Sequence, residues 1–173
     1  MNISQQTYIR PNPSSFLALA KPVLRAHRMV LQNLMQFSWT GLRPQWIAAE
    51  TTLEEVTFIE QLTMRPPAQA TATCAFSFSW DILTYLAEHL WGEKVSYDVE
   101  VVEGLAKDIG QMAMAEAFAA SLPPLMTVRA RLGPPQKITF PHGAVMLPCL
   151  TPQGPLKIFW AYQEFPSTEV LDP

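Results

Sequence analysis

Residues 99–121, VEVVEGLAKDIGQMAMAEAFAAS, form a long proline-free stretch with a helical apolar rhythm, and Pro123 and Pro124 stop it abruptly. Val102, Leu105, Ile109, Met112 and Ala113 recur at spacings of three and four, which predicts one apolar side of an α-helix. Such a stripe has to be buried against another layer. The segments that follow it are strand-like, so the constraint is a helix packed on a sheet. A second line runs beside the core face. Gly104, Asp108, Gln111 and Ala115 place an acid and a carboxamide one turn apart, with almost no side chain above or below them. Gly104 weakens a helix by about 0.5–1 kcal/mol relative to Ala. Ser96 or Asp98 can cap the helix start.

The rest of the chain supplies the other layers. After a polar lead with Pro11 and Pro13, a helix is expected from Ser14 or Ser15 to about residue 37, with Pro22 as a kink or a first-turn residue. His27 lies on this helix between Arg25 and Arg28, with no carboxylate or Cys at ligand spacing, and is read as a solvated or partly buried structural residue. Val56 and Phe58 mark a strand, and in TATCAFSFS the alternation of Ala72, Cys74, Phe76 and Phe78 with Thr and Ser predicts a second strand with one buried and one wet face. The two read as an antiparallel pair. WDILTYLAEHLWG is a compact amphipathic helix stopped by Gly92, with His89 exposed near its end. Downstream come LMTVRARL, QKITF, GAVMLPCL and PLKIFWAYQ, separated by turn residues. A tight hairpin is expected at Pro-Gln-Gly, and Pro148 implies an edge position or a bulge.

The predicted fold is therefore α+β, an antiparallel sheet covered by helices in the order α-β-β-α-α-β-β-β(-β). A single domain spans 12–165, between a flexible lead (1–11) and a tail (166–173). At 173 residues and 49% hydrophobic, the chain is sufficient for one sizeable core. Its net charge of −3, with 12 scattered Lys and Arg, argues against nucleic acid. No apolar run approaches the ~18 residues of a membrane span, and the N-terminus lacks a signal-peptide pattern, so a cytoplasmic location is expected and no membrane partner. Cys74 and Cys149 lie in strand-like apolar stretches and read as buried reduced thiols.

P-loop, dinucleotide-glycine, HExxH and nucleophile-elbow patterns are absent, as is any Cys or His cluster at metal spacing in sequence. That leaves Asp108 and Gln111, which as a bare pair also fit a solvated helix face. EGLAKDIGQMAMAEAFAASL resembles the signature helix of the CheC, CheX and FliY chemotaxis phosphatases, whose pattern is Asp or Ser, three residues, Glu, two residues, Asn. The CheX-like branch is also similar in Asn12-Pro13 ahead of the first helix, in the strand and helix from Phe76 to Gly92, in Pro134-Pro135, and in the final LPCLTPQGPLKIFWA. The resemblance implies a protein that docks on a phosphorylated CheY-like receiver domain and hydrolyses its aspartyl phosphate. Asp108 would stand at the position whose acid pairs with the receiver lysine, and Gln111 at the position whose amide orients the attacking water. Gly104, Lys107 and Ala115 would meet the partner. It further implies no cofactor of the chain's own, Mg²⁺ supplied by the receiver, and a possible homodimer joined through strands.

All three pattern positions differ: Gly104 replaces the leading Asp or Ser, Asp108 is one methylene shorter than Glu, and Gln111 one longer than Asn. Two alternatives therefore stand beside the phosphatase. One is a CheX-like binding or scaffolding module without catalysis. The other is a structural protein in which the pair is coincidental.

Overall fold

The computed structural model describes residues 13–36, 40–41, 43–47, 50–63, 71–92, 98–140 and 143–161. The expected lead and tail, Asn12 and Ser96 lie outside them. The chain opens with helix α1 (Pro13–Met35), which carries Pro22 in its interior. Three short strands follow, β1 (Thr40–Gly41), β2 (Gln45–Ile47) and β3 (Glu50–Leu53). Then come β4 (Val56–Thr63), β5 (Thr71–Phe78), helix α2 (Trp80–Trp91) and helix α3 (Val99–Ala117). Strands β6 (Leu125–Leu132), β7 (Gln136–Thr139), β8 (Ala144–Thr151) and β9 (Gly154–Ala161) complete the domain.

The architecture is the expected α+β one. A seven-stranded sheet runs β1-β8-β9-β5-β4-β6, with β2 also paired to β8, and every pairing is antiparallel. All three helices bury their apolar stripes on one face of it. Phe58 and Leu62 of β4, Phe76 and Phe78 of β5 and Ile158 and Trp160 of β9 project toward Val23 and Leu31 of α1, Leu83 and Leu86 of α2 and Leu105 and Ile109 of α3. These residues alternate along each strand because successive side chains point to opposite faces.

The opposite face corrects an expectation. The Thr/Ser side of β5 is not wet: Thr73, Ala75 and Ser77 are as buried as Cys74 and Phe76. A separate two-stranded ribbon, β3 with β7, covers this side. Leu53 and Phe140 close a second apolar cluster over Ile59, Ala75 and Phe159. Lys157 fastens the ribbon from the sheet, donating from Nζ to Glu54 Oε1 at 2.6 Å and to the Thr52 carbonyl at 3.1 Å. Ser77 Oγ satisfies the Glu54 backbone N–H at 2.6 Å, so the polar stripe of β5 is used by polar partners rather than by solvent.

Local signals were otherwise faithful. Gly92 caps α2 in the left-handed conformation (φ 68°), and its N–H reaches the Glu88 carbonyl. The β8–β9 hairpin turns at Pro152-Gln153, with Thr151 Oγ1 donating to the Gly154 carbonyl at 2.8 Å. Pro148 sits at an interruption of the ladder, as the bulge alternative expected: between the Gly41–Cys149 and Gln45–Met146 pairs the β1–β2 side has one residue more than β8. Pro148 pairs with Lys157 of β9, at the point where the other neighbour of β8 changes from β1 to β2. Both strands of that hairpin are engaged within the chain, and β6 borders the sheet on its other side.

Candidate functional site

Helix α3 starts at Asp98, whose side chain accepts the Glu100 N–H at 2.9 Å, so the Asp alternative for the cap is the one used. The helix lies on α1 and β6, and its buried residues are Val102, Leu105, Ala106, Ile109, Gly110, Ala113 and Met114. Met112, expected in the core, is 43% exposed. At 100° per residue it falls on the rim of the buried stripe, on the side away from Ala106 and Ala113.

The same rotation puts Gly104, Asp108, Gln111 and Ala115 diametrically opposite the centre of the buried stripe. All four are exposed, as is Lys107 at the border of the face. The structure thus brings the five predicted site residues onto one open helix surface. A Cβ added at Gly104 would meet nothing within 4 Å, so the surface beside Asp108 is clear. Val101 and Met112 are exposed on the other flank of the pair, and sequence periodicity alone did not separate Met112 from the core. The result is an acid and an amide at the centre of a smooth face with apolar flanks, a shape that another folded surface can approach closely. Glu103, at the margin of α3, accepts the Ala130 N–H of β6 through Oε1 at 3.1 Å, which ties the helix to the border strand of the sheet.

Directly beneath this helix lies a group of residues that the sequence reading did not connect. His27 is fully buried rather than solvated, and it meets Glu60 of β4, which is only 1% exposed. His27 Nε2 lies 2.8 Å from Glu60 Oε2, and His27 Nδ1 lies 2.8 Å from the Val23 carbonyl. Burial alone would lower the imidazole pKa. The charge of Glu60, its hydrogen bond and the Val23 carbonyl outweigh burial and raise it. Cys74 of β5 stands opposite Glu60 in register, with burial first and the Glu60 charge second holding its thiol well above the usual range. Cys149 is also buried and free, and burial pushes its thiol up to about 11 against a smaller opposing pull from Arg28.

A usable signal for this cluster was present. His27 is in phase with Val23 and Leu31 on α1, and Glu60 is in phase with Phe58 and Leu62 on β4. A polar residue in step with an apolar stripe is a candidate for pairing inside the core.

No family model matches the chain, and no curated protein matches it in sequence. Its fold does match solved structures. The chemotaxis protein CheX of Vibrio vulnificus aligns with a TM-score of 0.66 at 16% identity, over 84% of this chain and 99% of that one. A CheC-like superfamily protein from Shewanella sp. PV-4 aligns at 0.68 and 16% identity, over 84% and 97%. A structure of the CheX–CheY–BeF3–Mg²⁺ complex from Borrelia burgdorferi aligns at 0.56 and 15% identity, over 84% and 98%. No described helix is long and apolar enough to cross a membrane. The antiparallel sheet, its helical cover and the near-complete span of these neighbours identify the architecture: the chain has the CheX- and CheC-like chemotaxis-protein fold.

Proposed function

We propose that the exposed face of α3 docks on the phosphorylated aspartate site of a CheY-like receiver domain and accelerates hydrolysis of its aspartyl phosphate. The observation that carries this reading is the placement of Asp108 and Gln111 side by side at the centre of the solvent face of α3, with open space at Gly104. The fold likeness to a CheX solved together with CheY supports the choice of partner.

The chemistry asks little of covalent participation. A water attacks phosphorus as the bond to the receiver carboxylate breaks, and the carboxylate leaves with the electron pair. Positioning and charge management supply the rate. The Gln111 amide can donate to and accept from one water at once, which a carboxylate cannot. Asp108, one turn away, offers a negative charge to a receiver lysine, while Mg²⁺ comes with the receiver. Gly104 and Ala115 admit the partner backbone, and Val101 and Met112 supply apolar contact beside the polar centre.

Decay of a phosphorylated receiver domain, followed with and without this protein and with Gln111→Ala, tests the proposal. Faster decay that disappears in the variant supports it. Binding without acceleration selects a non-catalytic docking module, the reading favoured by the exchanged side-chain lengths at positions 108 and 111. Absence of both binding and acceleration overturns the partner assignment.

A further inference from the structure

His27, Glu60 and Cys74 come from α1, β4 and β5, and each is excluded from solvent. One donor atom from each residue lies within 4.8 Å of the other two, and this is the one such grouping of His, Cys and carboxylate side chains among the described residues. The convergence is built by the fold. Glu60 and Cys74 are cross-strand partners, so their side chains leave the sheet on the same face. His27 descends onto them from α1, its ring also resting 4.7 Å from that of Phe76.

We propose that His27 Nε2, the Glu60 carboxylate and Cys74 Sγ form a buried structural site for one divalent metal ion, with Zn²⁺ the ion that suits the donors. Imidazole nitrogen, carboxylate oxygen and thiolate sulfur are the three donor types Zn²⁺ takes. The arrangement is also neutral in charge. A divalent cation held by a neutral imidazole, a carboxylate and a thiolate has its two positive charges matched by two negative donors. Burial of the loaded site therefore adds no net charge to the core.

Geometry supports the same assignment. The Nδ1 contact with the Val23 carbonyl is the outer contact that fixes the ring of a ligating histidine and directs Nε2 at the ion. Metal bonds of about 2.0–2.3 Å require the Nε2 and Glu60 oxygen to spread by roughly half an ångström from their present hydrogen bond while the sulfur closes up. Oε1 of Glu60 faces α3: a Cβ on Gly110 would lie 2.6 Å from it and 2.8 Å from Met126 Sδ. Helix backbone and a thioether thus close the remaining side. Such a site braces α1 and the sheet beneath α3 rather than admitting substrate. Its ligands are enclosed, so the ion enters as the chain folds.

The experiment is refolding of the full chain from denaturant with Zn²⁺ or Co²⁺, followed by desalting and metal analysis. About one equivalent should be retained, and the Co²⁺ form should show a thiolate-to-cobalt charge-transfer band in the near ultraviolet. Cys74→Ala and Cys74→Ser, small replacements whose folding is checked by circular dichroism, should lower metal affinity by ~100-fold or more and abolish the band. Cys149→Ser should keep both. Absence of the band in the wild-type chain overturns the proposal whatever the variants do, and so does a band that survives Cys74→Ala or depends on Cys149.

Discussion

A Cβ at Gly110 of α3 would stand 2.6 Å from Oε1 of Glu60, so the glycine and the buried carboxylate together set how closely the helix lies on the sheet. Glu60 cannot swing aside freely, because its other oxygen is held by His27 at 2.8 Å. Met126, the second atom in the way, is a flexible thioether and can yield. Gly110→Ala should therefore overpack the contact and destabilise the fold by about 1–3 kcal/mol, despite the better helix propensity of Ala. Urea unfolding at constant m-value measures the loss; a variant as stable as the wild type would show that the helix floats over Glu60.

The His27–Glu60 pair should prove costly to break and cheap to replace. Both partners are fully buried, so His27→Ala or Glu60→Ala leaves an uncompensated polar or charged group in the core, at about 3–5 kcal/mol. Replacing both with apolar residues of similar volume, His27→Leu with Glu60→Met, should recover most of that loss in metal-free protein. A double-mutant cycle on unfolding free energies reads the coupling directly. Additive effects would show that the two side chains are held by their surroundings and not by each other.

What the sequence revealed and what it concealed divide along contact range. Gly92 stopping α2, Thr151 to Gly154 turning the hairpin and Asp98 capping α3 are decided within a few residues, and each was readable. The polar stripe of α3 was readable too, because its residues lie opposite the apolar positions on one helix. The β3–β7 ribbon was not, since it pairs Glu50 with Thr139, and the Thr/Ser face of β5 resembles a solvated surface until that ribbon is laid over it. His27 and Glu60 are 33 residues apart, and only the crossing of α1 over β4 brings them together. Met112 shows the limit of periodicity at the rim of a stripe, where one step of 100° decides between core and surface.

Gly104 lets stability be separated from the proposed docking. Its helical conformation tolerates any residue and nothing occupies the space around it, so Gly104→Ala should stabilise the fold by about 0.5–1 kcal/mol. Gly104→Arg should be tolerated by the fold equally well yet fill the approach to Asp108, and it should weaken receiver binding by ~10-fold or more. Thermal unfolding and titration against a phosphorylated receiver separate the two effects. Unchanged binding by the Arg variant would move the docking surface away from this face.

The lengths of the Asp108 and Gln111 side chains give the sharpest test of the proposed chemistry. Each alone should matter: Gln111→Ala removes the amide proposed to hold the water and should reduce the acceleration roughly 100-fold, with receiver binding largely kept. The reach of the two side chains is exchanged relative to the phosphatase helices that this segment resembles, short acid with long amide in place of long acid with short amide. Asp108→Glu alone or Gln111→Asn alone shifts one partner by a methylene while leaving the other, so each single change should lower the rate. A misplacement of about 1 Å can cost ~100-fold. If α3 presents both groups to one receiver site, the double variant Asp108→Glu with Gln111→Asn restores a matched pair and should be faster than either single variant. Single-turnover decay of the receiver phosphate measures all four proteins on one scale. Strictly multiplicative losses in the double variant would mean that the two side chains do not act on a common water and phosphate.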